Sequence, residues 1–136
     1  MDLKYNSDQR REYLNMIDSI GQNWVGVFEG NSDFYNASYW DLFTRLWKAA
    51  GPVRKTDASK FMVNVKSAQT AGKYVETAIR HGFILEKENP ADARSRLLEL
   101  SSDMRDRLDI FFDKAVGELR QAANKVETLH TTSVDH

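Results

Sequence analysis

Apolar and polar positions follow a helical period along most of the chain. Between positions 7 and 29, Tyr13, Met16, Ile17, Ile20, Trp24, Val27 and Phe28 recur at spacings of three and four. This predicts a first helix with one broad apolar face and Ser7 as its cap. Gly21 and Gly26 fall inside it, each costing up to about 1 kcal/mol relative to alanine, so a kink or a close backbone approach is expected there. Gly30-Asn31-Ser32-Asp33 closes that element. Tyr39, Trp40, Phe43, Leu46, Trp47 and Ala50 then share the apolar face of a second helix, which Gly51-Pro52 stops. A short third helix over 56–62, capped by Thr56 or Asp57, turns Ala58, Phe61 and Met62 inward, and 63–66 is the turn that follows.

The stretch 65–100 organises the rest. Ser67 is a good N-cap, and Ala68, Ala71, Val75, Ala78 and Ile79 recur behind it on one helical face until Gly82 ends the element. The opposite face carries Lys66, Gln69, Thr70, Lys73, Thr77 and Arg80, all hydrogen-bond donors and none acidic, while Glu76 lies to the side. Such a face suits a DNA groove. The runs 83–87 and 95–100, separated by Glu-Asn-Pro-Ala-Asp-Ala-Arg, read as two strands around an arginine-bearing loop. A helix followed by that hairpin is a winged helix.

After the hairpin, Ser101 and Ser102 cap a last helix, with Asp103 and Asp106 placed to complement its dipole. Leu108, Phe111, Phe112, Ala115, Val116, Leu119, Ala122, Ala123 and Val126 form its stripe. At roughly 25 residues and 37 Å it is longer than a winged-helix core needs. The first and last helices therefore each carry an apolar face to be buried, and a homodimer interface is the simplest burial. The tail 128–136 has no periodicity and reads as frayed. The fold class expected is mainly α with a small β-hairpin wing: a single domain over 1–136, a winged helix-turn-helix DNA-binding module at 37–100, and dimerisation helices at 7–30 and 102–127.

Composition narrows the class of protein. A length of 136 residues suits one domain, and 41% hydrophobic with 29% charged residues is globular. No apolar run approaches the ~20 residues of a membrane span, and the N-terminus has no apolar core of a signal peptide, so a cytoplasmic protein away from membranes is expected. With no cysteine, and histidines only at positions 81, 130 and 136, neither a metal nor another cofactor is expected. No convergent set of titratable groups points to an enzyme. Asn36-Ala37-Ser38 matches a glycosylation sequon but reads as a polar turn. The net charge of −1 conceals a segregation: 53–96 holds nine Lys or Arg against five Asp or Glu, and the remainder is acidic.

The hairpin also resembles the wing of the MarR family of transcription regulators. The family's wing has a proline, an aspartate two before an arginine, and a strand ending leucine, any residue, leucine and a hydroxyl residue. Here these are Pro90, Asp92, Arg94, Leu98, Leu100 and Ser101. Arg80-His81-Gly82-Phe83-Ile84 is similar to the end of the family's reading helix. The chain departs from the family's usual pattern at Ala78, at Met104, and in the longer turn 63–66. The resemblance implies an obligate homodimer joined through its terminal helices, binding a pseudo-palindromic duplex with half-sites about one turn apart, most often as a repressor.

In such a dimer Gln69 and Thr70 would read bases, while Lys66, Ser67 and Lys73 would meet phosphates. Arg94 would enter the minor groove, oriented by Asp92 and flanked by Lys87 and Arg96. The resemblance further implies a small aromatic ligand near Trp24, Phe28, Tyr39, Trp40, Arg45 and Trp47. Each assignment has a plainer alternative: a solvated lysine face, a hairpin ion pair between Asp92 and Arg94, and aromatic rings that are simply core. A winged-helix dimer that binds protein instead of DNA is the alternative function.

Overall fold

The computed structural model describes residues 2–129. The elements in chain order are helix α1 (Ser7–Val27), a 3-10 turn (Ser32–Phe34), helix α2 (Ala37–Lys48), strand β1 (Val53–Arg54), helix α3 (Lys55–Ser59), helix α4 (Ala68–Arg80), strands β2 (Ile84–Glu88) and β3 (Arg96–Leu100), and helix α5 (Ser102–Leu129). They divide into two compact units. Among the described residues, one comprises 2–30 with 109–129, and the other is Asn31–Leu108.

In the first unit, Asn6, and not Ser7, caps α1. Its side chain accepts from the Gln9 N–H (2.9 Å), and the Gln9 amide oxygen accepts in return from the Asn6 N–H (2.9 Å). The Gln9 amide nitrogen also donates to the Val126 carbonyl on α5 (2.9 Å), which ties the start of one helix to the end of the other. The helix runs unbroken through Gly21 and Gly26, and a Cβ at either would meet open space, so the close approach does not occur. Trp24 packs edge-on against Phe28 (5.1 Å) and Phe111 (5.2 Å), and all three are buried. Much of the expected apolar face is exposed within this unit: Tyr13 and Ile17 on α1, and Val116 and Leu119 on α5. The last helix is longer than expected and includes Thr128 and Leu129. The remainder of the expected frayed tail, with His130 and His136, lies outside the described residues.

The second unit is a winged helix. Asn36 caps α2, its side chain accepting from the Tyr39 N–H (2.9 Å), which is the local role of the sequon asparagine. The buried face of α2 is Tyr39, Leu42, Phe43 and Leu46; Leu42 takes an inner place and Trp40, expected inward, is exposed. The third helix is shorter than expected; Ala58 and Met62 are buried and Phe61 is intermediate. On α4, capped by Ser67, the buried positions are Ala71, Val75 and Ala78, with Ala68 exposed instead.

Helix α4 ends in a Schellman turn. The Gly82 N–H donates to the Ile79 carbonyl (2.9 Å) and the Phe83 N–H to the Ala78 carbonyl (3.1 Å), with Gly82 at φ +76°. A glycine takes this conformation without a Cβ clash, and it swings the chain directly into β2.

Strands β2 and β3 pair antiparallel with Ile84 opposite Leu100 and Glu86 opposite Leu98. A third strand, absent from the sequence expectation, completes the sheet. Val53 and Arg54 pair antiparallel with Leu98 and Leu97, in the order β1-β3-β2. Alternation places Ile84, Leu98 and Leu100 in the core, where Met104 and Leu108 of α5 are also fully buried. Ser101 caps α5 by accepting from the Met104 N–H (3.1 Å).

Candidate nucleic-acid interface

The outer face of α4 is polar because its inner face is not. Burying Ala71, Val75 and Ala78 turns Gln69, Thr70 and Lys73 outward, and all three are exposed. Ser67 and Lys66, at the head of the helix, are exposed as well. The Ser67 hydroxyl oxygen accepts from the Thr70 N–H (3.3 Å), so the residue expected at a phosphate is also the helix cap. Lys60, Lys66 and Lys73 have no ion-pair partner among the described residues.

The wing tip is held by two successive turns. The Asp92 N–H donates to the Asn89 carbonyl (3.2 Å), and the Ser95 N–H to the Asp92 carbonyl (3.1 Å). Asn89 Nδ2 braces the loop by donating to the Ser95 hydroxyl (2.8 Å). Asp92 organises the arginines around it. Its Oδ1 accepts from the Arg94 N–H (3.0 Å) and lies 3.4 Å from Arg94 Nε, and its Oδ2 stands 3.6 Å from Arg54 on β1. The Arg94 side chain is 93% exposed even so, because both contacts come from its near end. Arg54, which the sequence expectation did not include, thus braces the wing from the third strand.

The flanking cations are differently placed. Lys87 lies on the outer face of the hairpin in an ion pair with Glu99, and Arg96 donates through Nε to Glu86 Oε2 (3.1 Å). Glu86 also meets Lys55. Burial would raise the Glu86 pKa, yet its hydrogen bonds and charge contacts with Arg96 and Lys55 outweigh that and hold the carboxyl below its usual range. Burial would likewise lower Lys55, but Glu76 and Glu86 together hold its ammonium above the usual lysine value.

Between the head of α4 and the wing lies a groove of about 610 Å³. Lys55, Lys60, Lys66, Arg94 and Arg96 line it together with the hydroxyls of Thr56, Ser59, Ser67 and Ser95, and no carboxylate does. Tertiary structure thereby adds Lys55, Thr56, Ser59 and Lys60 to the residues expected from sequence. Their signal in the sequence was weak: isolated polar residues on a five-residue helix have no period to mark them.

The aromatic residues expected around a ligand are divided between the units. Trp24 and Phe28 are packed in the first unit. In the second, Tyr39 is buried against Phe34 (4.7 Å) and Tyr74 (4.9 Å), with its hydroxyl donating to the Tyr74 carbonyl (2.9 Å). Trp40 is exposed and Trp47 intermediate, while Arg45 pairs with Asp41 at 2.9 Å. Among the described residues no group of three or more His, Cys, Asp or Glu could hold a metal ion, and no helix is long and apolar enough to cross a membrane.

A capped polar helix followed by a three-stranded wing defines the winged helix-turn-helix class. Solved structures with this architecture bear the comparison out. The chain is similar to a probable transcriptional regulator from Pseudomonas aeruginosa, at 21% identity and a TM-score of 0.53, over 88% of this chain and 89% of that one. It is similar also to a mutant of S. aureus MepR bound to an oligodeoxyribonucleotide, at 14% identity and a TM-score of 0.57, over 91% and 94% of the two chains. A MarR-like transcription regulator from Bacillus cereus matches at 19% identity and a TM-score of 0.50, over 86% and 83%. No family model matches the sequence, and no curated protein matches it. The chain shares the winged-helix fold of these solved structures.

Proposed function

We propose that the protein is a sequence-specific, double-stranded DNA-binding transcription regulator that acts as a homodimer. The observation that carries this reading is the groove of about 610 Å³ whose lining includes no carboxylate and in which α3, the head of α4 and the wing place Lys55, Lys60, Lys66, Arg94 and Arg96. A duplex offers about one phosphate charge per 1.7 Å, and a one-signed groove beside an exposed polar helix is complementary to it. In this reading Gln69 and Thr70 contact base edges in the major groove. Lys60, Lys66, Ser67 and Lys73 hold phosphates, and Arg94 enters the minor groove with Asp92 fixing its backbone. Lys87 and Arg96, each engaged by a carboxylate, stay outside that set.

The dimer is supported by the apolar side chains that the first unit leaves exposed on α1 and α5, and it would supply two reading helices for a pseudo-palindromic site. Repression is the simplest consequence, since an occupied operator excludes polymerase. A small aromatic ligand would find Trp40 and Trp47 accessible, and Tyr39 closed. The test is selection of bound fragments from a random duplex pool at near-physiological salt, alongside the double variant Lys73→Ala, Arg94→Ala. Enrichment of a two-fold site by the parent alone is expected. Equal enrichment by both proteins, or none by the parent, overturns the reading.

A further inference from the structure

Four charged side chains from four elements meet at one wall of the basic groove. Lys55 Nζ, at the start of α3, donates to Glu76 Oε1 on α4 (2.7 Å) and lies 3.3 Å from each carboxylate oxygen of Glu86 on β2. Glu86 Oε2 accepts in addition from Arg96 Nε on β3 (3.1 Å). The Glu86 side chain is only 22% exposed and that of Lys55 29%, so water and salt weaken their pairing less than they would on an open surface. Two cations and two carboxylates make the cluster neutral. Lys55 and Arg96 line the groove, yet each is already committed to a carboxylate inside the protein.

Resting on the DNA-binding reading above, we propose that Glu86 withholds Lys55 and Arg96 from duplex phosphates, and so limits sequence-independent binding. A phosphate approaching either cation has to displace a carboxylate already in hydrogen-bond contact, and the exchange of one anion for another gains little. Lys60 and Lys66 in the same groove have no such competitor among the described residues. Binding strength then rests on a smaller set of phosphate contacts and on the base-reading positions of α4, which favours discrimination over mere adhesion. Glu86 is in this sense a specificity-determining residue that touches no DNA. An amide at position 86 keeps the shape of the side chain but not its charge. It leaves Arg96 without its carboxylate and Lys55 with Glu76 alone.

The test is the salt dependence of binding to a mixed-sequence duplex, followed by fluorescence anisotropy on the full chain. The proteins are the parent, Glu86→Gln, Arg96→Gln and the double variant. Glu88→Gln is the control, because it makes the same charge change on the same strand at an exposed residue with no ion-pair partner among the described residues. Each newly freed cation that reaches a phosphate steepens the slope of log K against log salt by about 0.9. Glu86→Gln is therefore expected to steepen it by about one to two, and to tighten mixed-sequence binding by roughly fivefold or more at ~0.1 M salt. Arg96→Gln is expected to flatten the slope by about one more in the Glu86→Gln background than in the parent.

Equal effects of Arg96→Gln in the two backgrounds, or a Glu86→Gln slope no steeper than that of Glu88→Gln, overturn the inference. If Glu86→Gln no longer melts cooperatively, Arg96→Gln in the parent background tests the same point, because a cation that Glu86 already withholds contributes no phosphate contact and its loss leaves the slope unchanged. A slope flattened by about 0.9, the loss of one phosphate contact, overturns the inference. A parent that binds no duplex at low salt removes the DNA-binding reading and this inference together, whereas a parent that binds and is matched by Glu86→Gln removes the inference alone.

Discussion

Tyr39 illustrates how one residue serves the core through a polar atom. Its ring packs among Phe34, Phe43 and Tyr74, and its hydroxyl satisfies the Tyr74 carbonyl at 2.9 Å. Burial is the main reason its pKa is pushed up from 10.0 to about 12, with Tyr74 and Asp33 adding to the rise and Thr77 and Arg80 opposing it. The fold thus favours the neutral phenol. The associated stability is complete below the unfolded value of 10.0 and is lost as pH climbs through about 12. Chemical denaturation of the parent is expected to weaken across that window, and Tyr39→Phe to flatten the dependence at a cost of about 1 kcal/mol near neutrality. An alkaline slope unchanged in Tyr39→Phe would assign the titration to another group. From sequence alone, the helical spacing of Tyr39 with Phe43 suggested either core or a ligand contact. The bond to Tyr74 ties the buried ring to α4, and it joins residues 35 positions apart that no local pattern connects.

At the scale of elements, the longest periodic segments and the best capped ones were the most legible. Helix α4 begins after Ser67 and ends before Gly82 as its cap and its glycine require, because both signals act within one turn of the chain. The wing strands follow the expected runs to within a residue. Strand β1 could not be read the same way. Two residues have no alternation, and Val53 and Arg54 are a strand only because β3 offers an open edge opposite Leu98 and Leu97. The short α3 lost its last turn for a similar reason, since a helix of five residues is held by packing more than by its own hydrogen bonds. Ser67 lets capping and duplex binding be separated. Ser67→Ala is expected to lower stability by about 1 kcal/mol in a urea titration. Ser67→Asp should keep the cap and restore the midpoint, yet weaken duplex binding by bringing a carboxylate beside the phosphates. If Ser67→Asp binds as the parent does, Ser67 does not lie at the phosphate backbone.

On the scale of the molecule, the first unit leaves Tyr13, Leu14 and Ile17 exposed on α1, and Ile110, Val116 and Leu119 exposed on α5. Side chains of this size in two helical elements argue for burial against a second copy. Ile17→Glu is expected to convert a dimer to a monomer by light scattering with its helical circular dichroism retained, because Ile17 is among the large apolar residues that the first unit leaves exposed. A dimeric Ile17→Glu would place the interface elsewhere. The sequence by itself determined the helical class, the cap and stop of the reading helix, the hairpin with Asp92 and Arg94 at its tip, and the local excess of positive charge. Each of these depends on residues within one or two turns of each other. Only the tertiary structure decided which cations stand free and which are engaged, which aromatic rings are closed, and that a third strand braces the wing. Those properties arise where α3, α4 and the strands converge, and the pairing of Lys55 with Glu86 or of Arg54 with Asp92 depends on packing that no spacing along the chain records.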